Sequence, residues 1–105
     1  MKFADSWLRS FVNPPLAARA LADALAMGGI DVEHVEAERD DWIITTKPTP
    51  NRGDCLSMTG IAREVAAVTG APLTPVEIKN VRTTVTDRLA VTLDAPHACP
   101  RSCGR

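Results

Sequence analysis

The spacing of apolar side chains changes several times along the chain, and each change marks an element. Trp7, Leu8, Phe11 and Val12 share one face of a helix predicted over residues 5–12, with Asp5 or Ser6 placed to cap it. Asn13-Pro14-Pro15 stops that helix and starts another, since Asn13 offers a cap and proline the fixed φ of a first turn. From Leu16 to Met27, Leu16, Ala17, Ala20, Leu21, Ala24 and Leu25 recur at helical spacing, and the alanines let a neighbour approach closely. Gly28-Gly29 ends the run, because glycine accepts the left-handed position past a helix end.

The period then shortens to two. IDVEHVE, residues 30–36, alternates imperfectly, and DWIITTKP, residues 41–48, is rich in β-branched side chains. Four residues, Ala37 to Asp40, lie between the runs and serve as a hairpin loop. Pro48 and Pro50 keep the next stretch extended. Asn51 or Asp54 is expected to cap a third helix, on which Met58, Ile61, Ala62, Val65, Ala66 and Val68 form the apolar stripe and Gly70 the stop. Beyond Pro72 the helical spacing disappears. Strand-like pieces at residues 76–81 and 89–93 read as a linker and the start of a β-rich unit.

These elements predict an α+β fold: a small three-helix domain with a β-hairpin over residues 1–74, followed by a β-type or disordered extension over residues 75–105. With two Trp, two Phe and no Tyr, the core must rest on aliphatic side chains. Trp7 is assigned to that core, and Trp42 is left open at the hairpin's start. A formal net charge of −1 removes the basic excess expected of a stand-alone nucleic-acid binder. MKFADSWLRSFV is too interrupted for a signal core, and no run approaches the ~20 apolar residues of a membrane span. Three cysteines, an odd count, suit a reducing cytoplasm better than a disulfide scaffold.

Candidate chemistry is sparse. Arg52-Gly53-Asp54 spells an adhesion tripeptide, yet it abuts a helix start in a chain without an export signal. His97, Cys99 and Cys103 are metal-ligand types, but they lack the paired spacing of a closed zinc site, and Cys55 is a fourth ligand only if the tail folds back. Cys55 reads better as a small buried residue than as a nucleophile, since no histidine stands near it in the pattern. The carboxylates around the hairpin (Glu33, Glu36, Glu38, Asp40 and Asp41) read as a solvated rim. No glycine-rich phosphate loop is present. Lys47, Arg52 and Arg63 are the side chains that would face phosphate if the chain bound nucleic acid.

Three stretches carry a resemblance. MKFADSWLRSFVNP with LADALAMGGIDVEHVE, then TPNRGDCLSMTGIAREVAAVTG, then LDAPHACPRSCGR resemble, in order, the first part of bacterial phenylalanyl-tRNA synthetase beta subunits. The TPNR-x-DCL segment is the most specific. The resemblance implies a winged-helix-like first domain and a docking role in a heterotetramer of two alpha and two beta subunits. That enzyme joins phenylalanine to its tRNA with ATP and magnesium. It also implies an OB-fold, tRNA-binding guest domain between the two hairpin strands. Here only residues 37–41 bridge them, as though the guest had been removed by design. No catalytic or metal-binding residue of the family falls on a position of this chain. Asn51, Arg52 and Asp54 carry over as a conformation-setting turn, and Leu21, Leu25, Ile61 and Val65 as packing residues.

Overall fold

The computed structural model describes residues 1–98. Three strands and three helices follow in the order β1 (Lys2–Ala4), α1 (Asp5–Arg9), α2 (Ala18–Met27), β2 (Val32–Glu38), β3 (Asp41–Thr46) and α3 (Met58–Thr69). A 3-10 turn, Gly53–Leu56, precedes α3. The α+β class holds, and the order of elements does not by itself establish a winged-helix likeness.

β3 is the central strand, antiparallel to both neighbours in the order β1-β3-β2. β1 has no counterpart in the sequence reading. Three residues give too short an alternation to detect, and Phe3 is drawn in because it pairs with Ile44 on the buried face. The hairpin closes more tightly than expected. Glu38 pairs with Asp41, so only Arg39-Asp40 turns the chain, and Arg39 takes φ 54°.

α1 begins at Asp5 as predicted but ends at Arg9 rather than at residue 12, and its cap and the start of α2 differ from the prediction. Asp41, on β3, accepts from the backbone N–H and hydroxyl of Ser6, so a carboxylate from the hairpin caps α1. Asn13 does not cap α2. Its side-chain Oδ1 accepts from Arg9 Nη1 at 2.9 Å, while Arg9 also reaches Asp5 (2.7 Å) and the backbone carbonyls of Pro14 (3.2 Å) and Leu16 (2.7 Å). This bracket holds residues 13–16 out of helical geometry, which is why α2 begins at Ala18. At its far end Gly29 adopts φ 94°, Ile30 N–H donates to Leu25 O and Gly29 N–H to Ala26 O. This is the two-bond left-handed closure that glycine allows.

One core results. Leu8 and Val12 from the α1 region, Leu21 and Leu25 from α2, Ile44 from β3, and Ile61 and Val65 from α3 are all fully buried together. The segments before and after the hairpin turn therefore share one interior. Trp7 corrects the expectation: it is 53% exposed, and Leu8 fills the core instead. Val68 likewise lies at the edge of the α3 stripe, exposed. Past Thr74 the described residues form no strand, and the pieces at 76–81 and 89–93 are exposed and unpaired among them. Cys99 and Cys103 of the metal-type cluster lie outside the described residues.

Candidate functional site: the interlocked turn before the third helix

The stretch from Thr49 to Ser57 concentrates the polar chemistry of the domain. Pro48 and Pro50 impose extended backbone, and the turn then closes through Arg52 N–H to Thr49 O (2.8 Å) and Cys55 N–H to Arg52 O (3.0 Å). Asn51 accepts at 2.6 Å from the Thr49 hydroxyl and so stiffens the turn rather than capping the helix. The cap of α3 is Ser57, whose Oγ accepts from Gly60 N–H at 3.1 Å and donates to Asp54 O at 3.0 Å. The cap is therefore neither Asn51 nor Asp54, the two residues that the sequence pattern offers for it. The 3-10 turn intervenes and moves the helix start downstream, where Ser57-x-x-Gly60 supplies the cap.

Arg52 is the hub. Its Nε and Nη2 fork onto the two carboxylate oxygens of Asp54 at 3.2 and 3.1 Å, and Nη2 reaches Glu64 Oε1 on α3 at 2.5 Å. The same Nη2 lies 3.2 Å from Cys55 Sγ, and that thiol points to Asp54 Oδ2 at 3.4 Å. The two carboxylates tighten the guanidinium's hold on its proton, Asp54 first and Glu64 second. In return, the Arg52 hydrogen bond lowers Asp54 to about 2. Burial, then the hydrogen bond to Asp54, raises the Cys55 thiol, the opposite of what a nucleophilic cysteine needs.

Asp54, Cys55 and Glu64 bring three ligand-type atoms within 4.8 Å of one another. They do not fit magnesium. The cation already among them is the Arg52 guanidinium, and a hard divalent ion prefers oxygen donors to a thiol. The turn's chemistry is thus directed inward, tying the loop to α3.

Of the three phosphate-facing candidates, Lys47 pairs with Glu33 across the hairpin at 3.6 Å and Arg52 is engaged as described. Arg63 is exposed on α3 and has no ion pair among the described residues. The hairpin carboxylates stand exposed, except Asp41, which is partly covered and caps α1. Its pKa is lowered, chiefly by the Ser6 hydroxyl and then by the Trp42 N–H. His34 is exposed on β2, far in sequence from Cys55.

A small α+β module with an interlocked polar turn is what the fold and the site define. No protein-family model matches the chain. Curated relatives do. Phenylalanine–tRNA ligase beta subunits from Aromatoleum aromaticum and Burkholderia lata are 54% and 56% identical over 66 residues, 63% of this chain. The beta subunit from Rhodopirellula baltica is 40% identical over 101 residues, 94% of this chain. The chain is homologous to a fragment of the phenylalanine–tRNA ligase beta subunit, and the aligned parts are 8% of the first two relatives' length and 15% of the third's.

The Rhodopirellula match also bears on the hairpin. An alignment of 101 residues covering 94% of this chain has no room for a guest domain between the strands. A direct connection therefore occurs in a natural relative, and removal by design is not required to explain it.

Among the described residues, no helix is long and apolar enough to cross a membrane.

Proposed function

We propose that this chain is a structural and docking module of a phenylalanine–tRNA ligase beta subunit, taking no part in the chemistry itself. The whole enzyme, with two alpha and two beta subunits in the cytoplasm, would join phenylalanine to tRNA using ATP and magnesium held by residues outside this fragment. The observation that carries the reading is the combination of homology to a beta-subunit fragment with a polar turn whose charged groups are spent on one another. A turn of that kind fixes where α3 points relative to the hairpin, which is what a positioning element must do.

The direct test uses a full-length beta subunit carrying this segment, co-produced with the alpha subunit. Deleting residues 1–74 is expected to abolish assembly and, with it, tRNA charging, while the isolated chain charges nothing. Normal assembly without the segment, or charging of tRNA by the isolated chain, would contradict the proposal.

Contact with tRNA or DNA through Lys47, Arg52 and Arg63 is the second reading. Arg63 supports it by being exposed and without an ion pair among the described residues. The competing carboxylates at Lys47 and Arg52 weigh against it. Binding by this route would fall steeply between low and moderate salt.

A further inference from the structure

Trp7 projects from α1 with its ring edge-on to Phe11 at a centroid separation of 6.4 Å. Phe11 in turn lines an open groove of about 200 Å³ walled by Thr59, Ala62 and Arg63 of α3 and by residues 73–76 of the departing chain. A half-exposed tryptophan packed on a residue that lines an apolar groove has the composition of an interface anchor.

We propose that the Trp7–Phe11 face and its groove seat the polypeptide that follows residue 76 in a chain of the relatives' length: the β-rich unit whose first strand-like pieces are residues 76–81 and 89–93. This deepens the docking reading above and rests on it. Three observations select that occupant. Leu73 bridges to Val12, and Thr74 N–H donates to Phe11 O at 2.7 Å, so the backbone leaves along this face and its own residues form one wall. A unit tethered so closely meets the face at an effective concentration on the order of millimolar. The departing segment also carries Val76, Ile78, Val81, Leu89 and Val91 exposed, an apolar set that a folded unit would have to cover.

The third observation concerns the competing surface. The other groove lies between α2 and β2, lined by Asp23, Glu33 and His34 among others. The outer edge of β2 carries a register irregularity between Val32 and His34 and the exposed carboxylates Glu36 and Glu38. Bulges and edge charges are the devices that keep an added strand away. The groove beside Trp7 has no such irregularity in its walls, and Arg63 is the one charged side chain among the described residues that line it.

Trypsin reads the outcome, because Lys79 and Arg82 lie exposed in the departing segment. In the 105-residue chain both sites are expected to be cut readily. In a full-length beta subunit carrying this segment, cleavage there is expected to slow by roughly ten-fold or more, since proteolysis follows the population of the open form. Trp7→Ala, and separately Val76→Asp, should restore several-fold of that rate in the long chain at a temperature where the 105-residue chain carrying the same substitution stays folded. Equal cleavage of short and long chains, or indifference of the long chain to both substitutions, would overturn the inference. Assembly of an enzyme lacking residues 1–74 would instead overturn the module reading beneath it, so the two failures are distinct.

Discussion

The Arg52 guanidinium and the Glu64 carboxylate, twelve residues apart in sequence, meet at 2.5 Å and fasten the turn to the middle of α3. Asp54 completes the arrangement from within the turn. The three charges act as one unit. Arg52→Ala leaves two carboxylates facing each other and is expected to lower the melting temperature more than Lys47→Ala, whose partner Glu33 is an exposed rim contact. A double-mutant cycle between Arg52 and Glu64 should show coupling, and additive effects would contradict it.

The same unit sets an acid limb to stability. Asp54 is lowered to about 2 in the folded chain, against an unperturbed value of ~3.9. A depressed carboxylate stabilises above its unfolded pKa and loses that contribution as pH falls through the folded one. Stability should therefore decline between about pH 4 and pH 2, and Asp54→Asn should flatten that part of the profile. Urea midpoints measured across the window check this, and an unchanged slope in the variant would refute it.

Gly60 permits a backbone contact no other residue tolerates. A Cβ there would sit 1.9 Å from Asp54 O, an atom of the backbone that cannot swing aside. Gly60→Ala should destabilise by about 1–3 kcal/mol, or more if the Ser57 cap is displaced, despite alanine's better helix propensity. Chemical denaturation of the variant decides it.

The opposite sign is expected at the hairpin tip. Arg39 holds φ 54°, where glycine carries no steric penalty. Arg39→Gly should stabilise by about 1 kcal/mol, read as a higher denaturation midpoint with an unchanged slope.

Cys55 is fully buried, and its thiol is raised by that burial. Maleimide should label it only when the protein is unfolded, as peptide mass spectrometry would show. Rapid labelling of the native chain would mean the turn is not closed as described.

Much of this architecture was legible in the sequence because period and punctuation agreed. Gly28-Gly29 and Gly70 end their helices where expected, Leu21, Leu25, Ile61 and Val65 enter the core, and the two expected hairpin strands do pair, as Val32–Glu38 with Asp41–Thr46. The misses share a physical cause. Trp7 belongs to the right helix, but five residues offer little over one turn, so the face that Leu8 buries cannot be separated from the face that Trp7 exposes. The caps of α1 and α3 come from Asp41, 35 residues away, and from Ser57, beyond an unforeseen 3-10 turn. Asn51, Arg52 and Asp54 lie in the turn that the resemblance implies, yet nothing local announces Glu64 as the other end of the tether. Side chains that act across the fold leave no periodic trace.

Hydrogen exchange with Leu21→Ala tests the central claim most directly, namely that the segments on either side of the hairpin turn form one cooperative interior supporting a positioning role. The substitution should cost about 2–5 kcal/mol. If the interior is shared, the slow amides of Ile61 and Val65 in α3 lose as much protection as those of α2. Loss confined to α2, with α3 unchanged, would show two independent units and contradict the account.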